Sequence, residues 1–276
     1  EAIFKRVGLD LSRQTMARWM IQVGEKITPL ITLLREELLK SSYLHMDETV
    51  VQVLKEDGKK AETNSYMWVQ ARSGPRPIVL FHYAKNRSGT HAHELLDDYR
   101  GALQVDGYDG YASVIEINEI TRLGCWAHAR RKFFDAFKSS SGKSVGKQGL
   151  GFITQLYEIE KEIEGKPYSE RFTARLTKSI PVLNDFEEWL RVQSEKLNPE
   201  SLSGKAVKYA RNEWQYLMNC FCSGEFKIDN NYVESHIRPF TIGRKNWMFS
   251  VNPEGAVASA NIYSLVETAK ANGIDP

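Results

Sequence analysis

Cysteine is scarce in this chain. The three present, Cys125, Cys220 and Cys222, are too few and too scattered for a disulfide framework, which points to a reducing, cytoplasmic setting. No apolar run is long enough to cross a bilayer and no secretory signal is visible, so no membrane partner is expected. Excess charge of one sign is missing too: the formal net charge is +2, and global charge does not announce nucleic acid. Local charge is uneven. From Arg122 to Lys147 seven Lys or Arg stand against one acid, Asp135, whereas Glu158 to Glu164 is acid-rich. The chain starts at Glu1 inside a helical pattern, as expected of a piece of a longer protein.

What is there divides into four stretches. Residues 1–40 read as helical, with Ser12 a possible N-cap and Thr15, Met16 and Trp19 at helical spacing. This resembles the last helix of a helix-turn-helix, or an amphipathic helix docked on a core, followed by a linker helix over Ile27–Leu39. Residues 41–138 begin with YLHMDETVVQVL, SYMWVQAR and PIVLFHYA, rich in β-branched and aromatic residues and joined by polar turns, which predicts an antiparallel meander. Helices over Ser88–Tyr99 and Tyr108–Glu116 then alternate with short strands at GALQVDG and ITRLGCWAH, running into the basic helix ARRKFFDAFK. The order β-β-β-α-β-α-β-α is that of an α/β, ribonuclease-H-like fold. Residues 139–222 open on SSSGKSVGKQG, an exposed loop by composition, and continue without strand signals. They read as an all-helical insertion with Trp189, Trp214 and Leu217 in its core. Residues 223–276 return to the core as C-terminal helices.

Asn230 or Asn231 is a suitable N-cap for a helix carrying Glu234 in its first turn. Pro239 is expected to end or kink that helix, and Gly243 to open a loop holding Arg244, Lys245 and Trp247. A carboxylate followed by basic and aromatic residues, with no acid between, suits a metal and a phosphodiester, although a glutamate in a first turn is also an ordinary dipole partner. Asp47 lies inside the first strand pattern, where aspartate is disfavoured unless paired or bound to metal. Asp106 closes the strand LQVD, and Gly107 after it lets the backbone turn. In a ribonuclease-H-like topology the first and fourth strands are neighbours, so both aspartates would converge, with Glu234 as the third carboxylate. Oxygen ligands of this kind hold Mg²⁺ or Mn²⁺, and two such ions suit phosphodiester chemistry. His128 is placed to support such a site. Cys125 and His128 could offer two zinc ligands, but no second pair lies nearby unless the fold brings Cys220 and Cys222 close. Glu48 and Asp229 draw attention as neighbours of the other carboxylates.

Together YLHMDET, LQVDGYDGY, GCWAHARRKFFDA and DNNYVESHIRPFTIGRKNWMF resemble a DDE transposase of insertion-sequence family sixty-six, over nearly the whole chain. The resemblance implies Asp47, Asp106 and Glu234 as a catalytic triad on two metal ions and a helical insertion before the glutamate. It implies cleavage at transposon ends and transfer of the 3′-hydroxyl to target DNA. The partners would be double-stranded DNA, as transposon ends and target, and further copies of the chain assembled on it, in the cytoplasm of a bacterium. Arg238, Arg244, Lys245 and Trp247 would grip the strand near the scissile phosphate, and Arg130, Arg131 and Lys132 a flank further away. The alternatives are a nuclease of the same fold without strand transfer and a non-catalytic, transposase-derived DNA-binding protein. Family members carry further N-terminal sequence with a full DNA-recognition region, which leaves end-specific binding by this chain in question.

Overall fold

Three helices lead the chain: α1 (Ala2–Arg6), α2 (Arg13–Lys26) and α3 (Thr28–Leu39). Strands β1 (Tyr43–Gln52), β2 (Asn64–Arg72) and β3 (Ile78–Ala84) precede α4 (Gly89–Leu96) and β4 (Ala102–Gln104). A 3-10 turn at Asp109–Tyr111 enters α5 (Ala112–Ile117), followed by β5 (Thr121–Leu123) and α6 (Trp126–Lys138). Next come α7 (Val145–Glu162), α8 (Tyr168–Ala174), α9 (Ile180–Lys196), α10 (Leu202–Asn212) and α11 (Trp214–Asn219). A π-helical turn, Arg175–Ser179, joins α8 to α9, and α12 (Asn231–Trp247) and α13 (Pro253–Ala271) close the chain. The structure, a computed structural model, describes residues 1–139 and 144–276. The protein is mixed α/β, with five strands in a mixed sheet: β1, β2 and β3 pair antiparallel, and β4 and β5 parallel.

The chain separates into two compact units. The first comprises Glu1–Gly101, Asp109–Ile120 and Tyr232–Pro276, and the second Ala102–Tyr108 and Thr121–Asn231. In the first, one face of the meander is apolar by strand alternation: Val51 on β1, Met67, Val69 and Ala71 on β2, Val79 and Phe81 on β3. Val233, Ile237 and Phe240 of α12 and Ala260 of α13 cover that face. The hydroxyls of Ser264 and Thr268 on α13 accept from the Phe81 and Val79 amides at 2.7 and 3.0 Å, so α13 also pairs the β3 edge.

Ser12 does cap α2, accepting from the Thr15 amide at 3.1 Å. The helix docks on α13 rather than standing apart, and Trp19, at 48% exposure, lies outside the packed stripe where the spacing had put it. The contact is backbone-close at Gly24, where an added Cβ would lie 2.7 Å from the Ala258 Cα. Asn261 Nδ2 donates to the Gly24 carbonyl at 3.0 Å. Gly24→Ala is therefore expected to destabilise the first unit by about 1–3 kcal/mol through overpacking. Chemical denaturation checks it, with Gly255→Ala, where a Cβ would meet nothing closer than 3.2 Å, as the comparison.

In the second unit Trp126 is the centre of the core. Its ring meets Phe186, Trp214 and Phe221, and its indole N–H donates to the Leu217 carbonyl at 3.0 Å. Residues 145–219 are helical with no strand among the described residues, and α11 docks beside β5, where Gly124 N–H meets the Tyr216 carbonyl. Leu217 is buried as expected, but Trp189 and Trp214 are half-buried. Trp189 turns its N–H out to Gln148 Oε1 at 3.0 Å, as a large ring with one polar atom does at the edge of a core.

The loop expected over 139–149 needs correction. Part of it, residues 140–143, lies outside the described residues; Ser139 is the C-cap of α6, and the rest opens α7, capped by Ser144. Gly146 and Gly149 are buried there, against Phe137 and the Phe133 ring, where a Cβ would collide. Their purpose is close helix packing rather than flexibility.

Candidate active site

Strand alternation places His45, Asp47, Thr49 and Val51 on one face of β1, opposite Ala71, Val69, Met67 and Ser65 of β2. Val51, Met67, Val69 and Ala71 belong to the cluster under α12, so Asp47 looks toward the helix that carries Glu234. Two contacts fix how that helix lies along the strand. Near its start, the Tyr232 ring meets His45 at 5.2 Å between centroids. Near its end, Arg244 donates to Thr49 Oγ1 at 3.2 Å and to the Val50 carbonyl. These contacts bracket Asp47 on the strand and Glu234 on the helix. Asp47 Oδ1 accepts from the Glu48 amide at 2.9 Å, which orients the carboxylate.

Glu48, the next residue, points the other way. It is buried, pairs with Arg87 and accepts from the Tyr111 hydroxyl at 2.6 Å. That network supports β1 from behind.

Helix α12 runs unbroken from Asn231 to Trp247, with Pro239 inside it, so the expected break and the loop after Gly243 are not there. Proline loses the bond to the carbonyl four residues back. The helix continues because Val233, Ile237 and Phe240, on both sides of Pro239, are buried in one apolar cluster. The four residues assigned to gripping DNA therefore divide. Arg238 and Lys245 are exposed on the helix, whereas Arg244 is tied to β1 and Trp247 packs edge-on against Phe240 at 5.2 Å.

In the second unit, β4 ends at Gln104, and Asp106 lies two residues beyond it rather than in the strand. Its Oδ1 accepts from the Tyr108 amide at 3.0 Å, an aspartate turn that fixes the carboxylate locally. Arg122 Nη2 donates to the Asp106 carbonyl at 2.9 Å and to Glu213 Oε2 at 2.6 Å, and its guanidinium lies 3.9 Å over the Tyr216 ring. Gly107 is not in the left-handed region, and a Cβ there would make ordinary contacts with Tyr209 and Glu213, so the turn does not demand glycine.

His128 lies in the first turn of α6, half-buried, and Arg130, Arg131 and Lys132 follow it, exposed. Arg130, Arg131, Tyr157 and Lys161 line a cleft of ≈ 720 Å³ between α6 and α7, together with Asp135 and Glu158. The Tyr157 hydroxyl donates to Asp229 Oδ2 at 2.8 Å. Burial, and then the Asp229 charge, push that phenol well above its usual range, so it stays a donor. Asp229 Oδ1 also accepts from the Asn231 amide at 3.1 Å, a role at the start of α12 that sequence adjacency alone did not reveal. The Cys220 thiol donates to the Gly124 carbonyl and is buried, with its pKa raised by burial.

Residues 1–258 match the Transposase IS66 family, and the chain belongs to that family. The uncharacterized protein y4qI of Sinorhizobium fredii is 31% identical over 289 residues, covering 100% of this chain and 53% of that protein. The uncharacterized protein y4jD of the same organism is 30% identical over 286 residues, covering 99% of this chain and 56% of the relative. The chain thus spans about half the length of the curated relatives it matches. No helix among the described residues is long and apolar enough to cross a membrane.

Proposed function

We propose that this chain is the catalytic region of a DNA transposase, with Asp47, Asp106 and Glu234 as its metal-holding carboxylates. The observation that carries the reading is the family match, which spans all three acids. Two features of the structure support it: Asp47 faces the helix bearing Glu234, and the carboxylates of Asp47 and Asp106 are each oriented by a backbone amide. The element order of β1–β3, α4, β4, α5, β5 and α6 is also the one expected of a ribonuclease-H-like fold. The three acids offer carboxylate oxygen, which fits Mg²⁺ or Mn²⁺. Two such ions, when bound, supply activation of the attacking oxygen and stabilisation of the leaving one. The chain's own part is to hold and orient. Arg238 and Lys245 draw in the phosphate backbone, with the cations of α6 on a flank, and Arg244 keeps α12 in place over β1.

Nicking of a supercoiled plasmid by the chain in Mn²⁺, lost on chelation, is the expected result. Joining of a pre-cut 3′-hydroxyl end to target DNA distinguishes a transposase from a nuclease of the same fold. Binding without metal-dependent cleavage would leave a non-catalytic, transposase-derived DNA-binding protein and contradict the reading.

The two exposed cations on α12 give a separate expectation. Arg238→Ala and Lys245→Ala should each lower the slope of log affinity against log salt by about 0.9, equally on unrelated duplexes, because phosphate contacts release counterions without reading bases. An unchanged slope in both variants would remove α12 from the DNA surface.

A further inference from the structure

At the end of α12, the Met248 amide still reaches back to the Arg244 carbonyl at 2.8 Å. The chain leaves the helix there in the left-handed region, a position that glycine usually fills. Here it is Met248, at φ 64°. A side chain in that region is strained, and burial returns nothing for it, since Met248 is 64% exposed. Phe249 and Val251 continue the apolar surface at 40% and 52% exposure.

The backbone beneath them is pinned. Ser250 N–H donates to the Gln52 carbonyl at 2.9 Å, Leu54 N–H to Ser250 O at 3.0 Å, and Lys55 N–H to Val251 O at 2.8 Å. The segment is thus held against the end of β1 and presents a strained methionine and a phenylalanine to solvent. The charge around it suits a polyanion. Between Glu234 and Glu254 the chain carries Arg238, Arg244 and Lys245 and no acid. Lys55 is exposed beside Val251 while Glu56 turns inward to Ser65 and Tyr83, so the exposed charges of the connection between β1 and β2 are Lys55 and Lys60 against Asp57 and Glu62.

We infer, on the DNA reading above, that Met248 and Phe249 form a wedge that enters the base stack of bound duplex where stacking is weak. Apolar side chains of this kind open a base step and hold the duplex bent, and a ring can stack on any base. About 20 Å of helix separates Glu234 from Met248. The wedge therefore acts on the order of six base steps from a phosphate held at Glu234, at 3.4 Å per step, and not on the scissile nucleotide.

Fluorescence anisotropy of the chain with a labelled duplex of arbitrary sequence, and with the same duplex carrying a two-base mismatch bubble, tests this. The wild type should bind the bubble duplex roughly tenfold more tightly, because the step is already unstacked. In Met248→Gly that preference should fall below about twofold, while the thermal midpoint holds or rises because glycine suits the backbone. Phe249→Ala should lose the preference as well, and Ile242→Ala, at an exposed apolar residue within α12, should keep it. Equal wild-type affinity for the two duplexes, or a preference that survives Met248→Gly with Phe249→Ala, overturns the wedge. So does a wild-type dimer that this double variant abolishes without touching duplex preference, which would assign the tip to a second copy of the chain. Failure to bind either duplex overturns the DNA reading itself, whereas binding and cleavage without preference overturn the wedge alone.

Discussion

Replacing Asp47 by Asn is expected to lower metal-dependent DNA cleavage by about 10²–10⁴-fold and leave the fold intact. The magnitude follows from the several kcal/mol that metal-held charge stabilisation supplies, at about 1.4 kcal/mol per tenfold in rate. The fold should survive because the interaction that Asp47 makes with the Glu48 amide needs only an acceptor oxygen, and Asn Oδ1 supplies one. The same holds for Asp106→Asn, whose Oδ1 accepts from the Tyr108 amide. Glu234→Gln keeps length and removes the charge. Plasmid nicking in Mn²⁺, alongside thermal unfolding of each variant, separates the two effects. Full activity in any of the three would remove that residue from the triad.

A second large effect is expected far from that chemistry. Arg175 is fully buried in the π-helical turn, and its five N–H groups match five bonds. Nε and Nη2 hold the two oxygens of Glu160 at 2.8 and 2.6 Å, a bidentate pair. Nη1 reaches the Cys220 carbonyl at 3.1 Å and that of Ser223, and Nη2 also reaches Phe226 O at 2.8 Å. The side chain thus ties α7 to the irregular segment that leads toward α12. Arg175→Ala leaves a largely buried carboxylate, which among the described residues keeps a 3.6 Å contact with Arg171, and takes the guanidinium donor from the Cys220 and Ser223 carbonyls, while Phe226 O keeps the bond from Arg171 at 3.3 Å. The expected cost is about 3–5 kcal/mol, read as a fall in the urea midpoint of more than about 1 M. The double variant Arg175→Met with Glu160→Met should recover much of it, because it buries no orphaned charge. A single-variant loss below about 1 kcal/mol would show that the segment is held by packing alone.

What was legible in the sequence was what rests on local chemistry. Ser12 caps α2 because a serine before a helical stripe has few other uses, and the three β-branched runs pair as a meander because polar turns join them. The helical character of 145–219 followed from helical spacing over long windows. What was not legible depends on tertiary context. Pro239 and Gly243 read as breakers, yet with the cluster around Phe240 beneath it α12 continues past both. Gly146 and Gly149 read as loop, and only the position of Phe133 explains them. Arg244 looked like a free phosphate ligand until β1 was seen to accept from it. The face shared by Asp47 and the helix of Glu234 could be expected from strand period, but not the contacts of Tyr232 and Arg244 that bracket them.

On the proposed function, Asp47, Asp106 and Glu234 hold divalent metal for DNA cleavage. A crystal of the chain grown with Mn²⁺ and measured at the manganese edge decides it. Anomalous peaks are expected at about 2.0–2.2 Å from carboxylate oxygens of all three residues, lost in Asp47→Asn. Peaks elsewhere, or a structure in which Asp106 lies beyond reach of a metal held by Asp47 and Glu234, would contradict it.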